Sequence, residues 1–339
     1  MKAVATFGPL PADAPASLRD IELPALLASG RDLLVRVQAV SVNPVDLSTR
    51  AGLASGAIPD PVFPMVLGWD ASGIVEVVGE QVTLFRPGDR VWYAGDITRA
   101  GSNAELQLVD ERIVGHMPAR LSFAEAAALP LTAITAWELL FDRLGVAHDT
   151  DGALLIVGAA GGVGSILTQL ARQLTRLTVI GSASRPETQA WVRELGAHHV
   201  VDHCQPLMAE LKRAGIASVT HVASLTNTEQ HYPQLVEALA AQGRLGLIDD
   251  LSGPLDVMAL KRKSLSLHWE MMFARPMFQT ADMAAQHTLL ERVAALVDER
   301  RLRTTLGEHF GAINAANLRR AHAFIESGRA RGKVVLEGF

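Results

Sequence analysis

Three things that often mark a protein class are scarce in this sequence: cysteine, net charge and long apolar runs. A single cysteine, Cys204, stands in 339 residues, so an intrachain disulfide is impossible and a reducing compartment is expected. The net charge of −5 argues against a nucleic-acid surface. No apolar stretch reaches about 18 residues, and "MKAVATFGPLP" lacks the apolar core of a signal peptide. We therefore expect a cytoplasmic protein that binds neither nucleic acid nor a membrane.

The pattern of apolar and turn-forming residues changes twice along the chain. Residues 1–125 hold short β-rich runs such as "SGIVEVVG", separated by Gly and Pro turns, which is typical of a mostly antiparallel β domain. Residues 126–270 alternate six apolar runs with helical patterns, which predicts an α/β domain with a doubly wound six-stranded parallel sheet of the Rossmann type. Residues 271–339 carry two helical stretches and a strand, "KVVLEG", that we expect to return to the first domain.

Bare backbone is concentrated in "VGAAGGVGS", residues 157–165, between an apolar strand and an amphipathic helix predicted at about 163–175. In this context glycines permit a sharp turn, leave room for a phosphate and let the helix pack closely, while the helix start attracts a pyrophosphate. The alternative is a turn that serves packing alone. The expected dinucleotide contacts in this loop are Gly158, Gly161, Gly162, Val163 and Gly164.

The end of the second strand indicates which dinucleotide binds. A site for NAD usually has an acidic residue there, which accepts hydrogen bonds from the ribose hydroxyls. Here "VIGSASRPE" offers Ser182, Ser184 and Arg185 at that point instead. A guanidinium can bind the 2′-phosphate of NADPH through charge-assisted hydrogen bonds. We therefore predict NADPH; the alternative is an Arg185 that only meets solvent.

Two further motifs, together with the glycine loop, give the chain a family resemblance. "GEQVTLFRPGDRV" (79–91), "SFAEAAALPLTAITAW" (122–137) and "GAAGGVG" (158–164) resemble, in order and spacing, the medium-chain dehydrogenase/reductase superfamily. The glycine loop is most similar to that of its zinc-free, quinone oxidoreductase-like branch. The resemblance implies a GroES-like catalytic domain, an NADPH-binding Rossmann domain and a homodimer paired through the edge strands of the nucleotide-binding sheets.

The zinc ligands of the family's alcohol dehydrogenases are missing from the corresponding positions. Asn43, Trp69 and Leu131 stand where those enzymes carry Cys, His and Cys ligands. Zinc catalysis needs about three ligands of the Cys, His or carboxylate type. We therefore expect no metal.

Without a metal, the resemblance implies hydride transfer from NADPH to an apolar acceptor that is already electrophilic, such as a quinone or an α,β-unsaturated carbonyl. A hydrogen-bond donor could stabilise the oxygen that gains charge. The candidate catalytic residues are Asn43, Thr132 and Tyr93. The segment "ARGKVVL" resembles the family's terminal segment that closes over the cofactor, so Lys333 is expected to contact the cofactor. For each candidate catalytic residue the alternative is a purely structural role.

A second function stays open, because the same fold can bind a cofactor without turnover. The chain has two tyrosines, and Ser48 and Ala54 stand where close relatives often carry that residue. The alternative to a reductase is therefore a non-enzymatic NADPH-binding sensor or structural protein.

Overall fold

The computed structural model describes residues 1–52 and 63–339, so Ala54 lies outside the described residues. The chain forms two compact units. Unit 1 comprises Met1–Ile134 and Phe273–Phe339, and unit 2 comprises Thr135–Met272. The sequence analysis set both limits a few residues earlier, after residues 125 and 270.

Short strands dominate the first stretch of unit 1, as its frequent turns predict. The alternating burial of "LQLVD" shows one face of such a strand packed on the core. The strands are β1 (Lys2–Thr6), β2 (Arg19–Glu22), β3 (Asp32–Val42), β4 (Met65–Val66), β5 (Ala71–Val78), β6 (Arg90–Tyr93), β7 (Leu106–Asp110) and β8 (Val114–His116). The helices are α1 (Pro44–Arg50), α2 (Phe123–Ala127) and α3 (Pro130–Trp137), the last of which begins in unit 1.

Unit 2 opens with a π-helical turn, Glu138–Arg143, and continues as alternating strands and helices. Its strands are β9 (Ala153–Val157), β10 (Thr178–Ser182), β11 (His199–Val201), β12 (Val219–Ser224), β13 (Leu239–Leu247) and β14 (Ser266–Trp269). Its helices are α4 (Gly162–Leu174), α5 (Pro186–Glu194), α6 (Leu207–Arg213) and α7 (Thr228–Ala238).

Every residue of unit 2 is described, and its strands form one six-stranded sheet in the order β11-β10-β9-β12-β13-β14. All its strand pairs are parallel. The central strand β9 is buried along its whole length, as expected of a parallel strand covered by helices on both faces. The predicted α/β fold with a six-stranded parallel sheet is confirmed.

The chain then returns to unit 1 through α8 (Ala274–Met277), α9 (Ala285–Asp298), β15 (Leu306–His309), α10 (Ala315–Glu326) and β16 (Lys333–Glu337). β16 pairs antiparallel with β3, and Val334 lies opposite Val42. In the described part of unit 1 the larger sheet has seven strands, ordered β15-β16-β3-β5-β6-β8 with β7 also paired to β3. A second sheet has the order β2-β1-β4.

One helical segment of the described chain, Phe123–Arg143, is long and apolar enough to cross a membrane by length and composition, which the sequence analysis did not single out. In the structure, however, 83% of the most apolar part of this segment is buried inside the protein. Such burial is typical of a core helix, so the segment carries no argument for a membrane.

Candidate functional site

The glycine loop joins the carboxyl end of β9 to the start of α4. Gly158 follows the strand directly and has φ +79°, a left-handed conformation that glycine adopts without strain. Its N–H donates to the Ser182 hydroxyl at the end of β10, at 3.1 Å. The loop closes when the Gly161 N–H donates to the Gly158 carbonyl, also at 3.1 Å. The hydrogen bond from Gly158 to Ser182 ties the end of β9 to the end of β10. Ser182 is buried, so it supports the loop instead of making the direct cofactor contact that the sequence analysis expected.

Gly164 is required by a close backbone approach. A Cβ at this position would lie 2.4 Å from the Gly158 carbonyl oxygen and 2.5 Å from the Ala159 Cα. The sequence analysis assigned Gly164 to close packing of the helix, and the structure shows that the first turn of α4 presses on the loop itself. Gly158 and Gly164 are therefore required for different reasons, the first by its backbone conformation and the second by a close approach.

The start of α4 fits an anionic group. Gly161 precedes the helix and has no side chain with which to cap it. The first N–H groups of a helix have no partner within it, and the helix dipole makes this end positive. Residues Gly161, Gly162 and Val163 are half-buried, so these amides are not sealed in the core. The residues present thus fit the pyrophosphate of a dinucleotide.

The residues after β10 carry a cation and a neighbouring acid. Ser184 and Arg185 are half-buried, and Arg185 stands at the N-cap position of α5. The Arg185 Nε lies 3.1 Å from the Glu187 carboxylate, in an ion pair whose side chains are 37% and 59% exposed. The sequence analysis missed this ion pair, although Glu187 follows in the same motif. A phosphate at Arg185 would have to share the guanidinium with this acid.

Asn43 follows β3 and occupies the N-cap position of α1, where it is buried. Its Nδ2 lies 3.1 Å from the Asp70 carboxylate and 3.3 Å from the Ser41 and Trp69 carbonyls, and its Oδ1 accepts from the Lys333 ammonium. An amide has two N–H hydrogens, and both have acceptors here. Asn43 therefore lacks the free donor that the sequence analysis expected of it, because its amide is committed within unit 1.

Lys333 is buried, with 3% of its surface exposed. Its Nζ lies 3.0 Å from Asp70 Oδ2 and 3.1 Å from the Val42 carbonyl. The sequence analysis expected it to contact the cofactor, but in the structure its ammonium points into unit 1. We call Asn43, Asp46, Asp70 and Lys333 the Lys333 cluster.

The Lys333 cluster contains two carboxyl groups and one ammonium. Burial raises the pKa of Asp46 from 3.8 to about 7, against the lowering effect of the Asn43 N–H and the Lys333 charge. Burial also raises the pKa of Asp70. Asp46 accepts the Asn43 N–H at 2.7 Å and so braces the start of α1. One proton on the two acids makes the cluster neutral, which is the state that burial favours.

The two candidate hydroxyls also lie inside the protein. Thr132, in α3, is buried and donates to the Leu129 carbonyl at 3.0 Å. Tyr93, in β6, is wholly buried, and its hydroxyl has no hydrogen-bond partner in the described chain. Burial raises the pKa of the Tyr93 phenol. The expectation that Tyr93 protonates a substrate is not supported, because nothing can reach its oxygen in this conformation.

The positions of the family's zinc ligands do not fit a metal. The Asn43 Oδ1 already accepts a hydrogen bond from the Lys333 ammonium. The Trp69 indole and the Leu131 side chain carry no atoms that bind zinc. Trp69 is wholly buried, donates from Nε1 to the Asp96 carbonyl and packs against Phe273 with ring centroids 6.3 Å apart. Within residues 1–52 and 63–339, no group of three or more His, Cys, Asp or Glu is arranged to hold an ion.

Known families and proteins match the chain over most of its length. Residues 29–136 match the alcohol dehydrogenase GroES-like domain, and residues 195–336 match the zinc-binding dehydrogenase family. A zinc-type alcohol dehydrogenase-like protein of Staphylococcus aureus is 40% identical over 90% of both chains. Human mitochondrial NAD(P)H oxidoreductase RTN4IP1 is 30% identical over 90% of this chain and 81% of its own.

Solved structures agree with this. A Rhizobium etli protein, provisionally described as a zinc-dependent alcohol dehydrogenase, is 56% identical with a TM-score of 0.94, covering 100% of this chain and 98% of its own. The quinone oxidoreductase of Coxiella burnetii is 25% identical with a TM-score of 0.82, covering 100% and 99%. The two domain matches and the identity to these relatives agree with a fold that has one mainly antiparallel unit and one Rossmann-type unit. We conclude that the chain belongs to the medium-chain dehydrogenase/reductase superfamily of oxidoreductases.

Proposed function

We propose that the protein is an NADPH-dependent, zinc-independent reductase that transfers hydride to quinones or α,β-unsaturated carbonyls. The observation that carries this proposal is the uncapped, glycine-lined start of α4 beside the end of β10, where Ser184 and Arg185 follow the strand and no acidic residue stands at its tip. An NAD(P)H oxidoreductase and a quinone oxidoreductase among the similar proteins support it.

In this proposal the first-turn amides of α4 bind the pyrophosphate, and Arg185 binds the 2′-phosphate. The bound cofactor would supply the hydride. Because the zinc-ligand positions hold Asn43, Trp69 and Leu131, the chain cannot polarise a simple carbonyl through a metal there. The acceptor must therefore be electrophilic through its own conjugation. Thr132 is the remaining candidate donor; to act, its buried hydroxyl must give up its hydrogen bond to the Leu129 carbonyl. We propose solvent as the proton source.

The direct test is NADPH oxidation with a panel of quinones, enals and simple ketones, in the presence and absence of a zinc chelator. We expect turnover with the conjugated acceptors, none with the simple ketones and no effect of the chelator. Failure of every conjugated acceptor would contradict the reductase proposal. Loss of activity on chelation would contradict its zinc independence.

Cofactor choice has its own test at Arg185. Replacing it by alanine should lower the ratio of NADPH to NADH kcat/KM about 10–100-fold, because a charge-assisted hydrogen bond contributes about 1.5–3 kcal/mol. Glu187→Gln should raise the ratio, since it frees the guanidinium from its acid. Arg193→Ala is the matched control, because Arg193 is exposed on the same helix. An unchanged ratio in Arg185→Ala would reject the 2′-phosphate contact.

A non-enzymatic NADPH-binding protein is the second candidate, and one observation favours it. The hydrogens of Asn43 and Thr132 are engaged within the protein, and Tyr93 is inaccessible. Tight NADPH binding without turnover on any acceptor would support this function over the first.

We further propose a cytoplasmic homodimer, formed through the edge strand β14. In the described chain this strand pairs with β13 alone, and the nearby Trp269 and Met271 side chains are 49% and 41% exposed. A second copy could pair with its free backbone groups across a two-fold axis. Sedimentation analysis should show a dimer that Trp269→Glu weakens; a wild-type monomer would reject this assembly.

A further inference from the structure

A buried pair of glutamates lies where the chain enters and leaves unit 2. The chain passes from unit 1 to unit 2 after Ile134 and back after Met272. Glu138 follows the first crossing closely and begins the π-helical turn. Glu270 comes just before the second crossing, directly after β14. The two residues are distant in sequence, yet each sits on one of the two connecting segments.

The two carboxyl groups are hydrogen-bonded to each other in the protein interior. Their side chains are 1% and 0% exposed. Arg143 approaches from the π-helical turn, with Nε 2.9 Å from Glu270 and a terminal nitrogen 4.0 Å from Glu138. A carboxylate can only accept, so a hydrogen bond between two carboxyl groups requires one proton between them. With that proton and the Arg143 charge, the group is neutral.

The surroundings favour keeping the proton. Burial, and then the charge of Glu138, raise the pKa of Glu270 from 4.5 to about 9, while Arg143 lowers it. The other charged groups on the surrounding elements are exposed Asp142 on the π-helical turn, His268 on β14 and Arg244 on β13. Burial and the two arginines lower the pKa of His268, so it adds no cation near neutral pH.

We propose that the Glu138–Glu270 pair is a proton-dependent clasp, which holds together the two segments connecting unit 2 to unit 1. The hydrogen bond joins the first connecting segment to the second only while the pair keeps its proton. The π-helical turn supports a role beyond packing, because such turns are frequent at functional sites. This inference does not rest on the proposed reductase activity.

The sign of the pH effect follows from the raised pKa. Opening the clasp exposes Glu270 to water, where its pKa returns toward 4.5, so opening releases a proton. The stability that the clasp contributes is full below that value and is lost as the pH rises to about 9. The equilibrium constant for opening should increase up to about tenfold per pH unit in this window.

Hydrogen exchange of the cofactor-free protein between pH 5 and 9 tests the clasp. In the wild type, the protection factors of residues 134–146 and 265–275 should fall with pH relative to those of α4. In Glu270→Gln and Glu138→Gln this fall should disappear, because glutamine keeps the shape and a hydrogen bond without a titrating proton. Asp142→Asn is the matched control on the same turn and should behave like the wild type.

The double variant Glu138→Gln/Glu270→Gln separates a clasp from two independent acids. If the residues act as a unit, it should change the pH response no more than either single variant. Equal pH dependence in the wild type and in a folded Glu270→Gln protein would overturn the proposal. Because no cofactor is present, that result would leave the reductase proposal untouched.

Discussion

Two helices of this protein begin directly after a buried strand or its loop, and their starts are built in opposite ways. In unit 1, α1 starts with Asn43 and Pro44 and is capped by Asp46, whose carboxylate accepts the Asn43 N–H. In unit 2, α4 starts after Gly161 with no capping side chain. Both ends carry the positive helix dipole. One start has its own anion sealed inside, and the other leaves that place to an anion from solution.

The contrast explains which start is open to a ligand. The Lys333 cluster fills the start of α1 with buried side chains, so no phosphate can reach its amides. At the start of α4 the glycine loop supplies no capping side chain, so the first N–H groups of this helix are open to a phosphate. Glycine content alone does not make the difference; it is the lack of a competing acid within the protein.

The largest effect should come from breaking the sealed start. Lys333→Met removes the only cation that contacts Asp70 in the described chain. Removing one partner of a buried ion pair typically costs about 3–5 kcal/mol. Urea unfolding at pH 7 should show a loss of this size. Lys261→Met, at an exposed lysine, is the control and should change the stability by less than about 0.5 kcal/mol. Equal stabilities of the two variants would show that the cluster contributes little.

A second test separates the two purposes of glycine at the open start. Gly164→Ala forces a methyl group to within 2.4 Å of the Gly158 carbonyl, so unfolding should become easier by about 1–3 kcal/mol. In Gly161→Ala the nearest atom is 3.4 Å away, an ordinary contact. Its stability should therefore hold, while fluorescence titration shows weaker NADPH binding. If Gly161→Ala bound NADPH as tightly as the wild type, the phosphate would lie elsewhere.

The last test concerns the proton of the sealed start. The raised pKa of Asp46 means that its stabilising contribution is complete below 3.8 and is lost as the pH rises through about 7. Asp46→Asn keeps the oxygen that accepts the Asn43 N–H but cannot ionise. It should match the wild type near pH 3 and become more stable than the wild type as the pH rises from about 4 to 7, by up to about 1.4 kcal/mol per pH unit. A constant difference across this range in urea unfolding would contradict the assignment.

The open start could be predicted from sequence, and the sealed one could not. The loop, the helix and the strands around them lie within "ALLIVGAAGGVGS" and the residues that follow, so local patterns determine them. Asn43 and Lys333 meet only because β16 pairs with β3 in a register that sets Val334 opposite Val42. No local pattern encodes that pairing. The same holds for Glu138 and Glu270, which the sequence analysis did not identify.

Tyr93 shows a failure of a different kind. It was a candidate donor through the family resemblance, as the tyrosine that ends the run "DRVWY" (89–93). That run is buried at Val91, Trp92 and Tyr93 in succession. Continuous burial marks a strand covered on both faces, and this signal was available in the sequence. A phenol at such a position packs as a hydrophobic group.

The placement of β16 between β15 and β3 bears on how the polypeptide is made. Unit 2 is one uninterrupted stretch, so it can fold once residue 272 has left the ribosome. Unit 1 lacks an interior strand until Lys333–Glu337 emerges. During synthesis the sheet of unit 1 therefore stays incomplete, with part of one edge of β3 unpaired, until β16 has been made. A nascent chain stalled before that strand would expose the edge of β3 to aggregation or to chaperones.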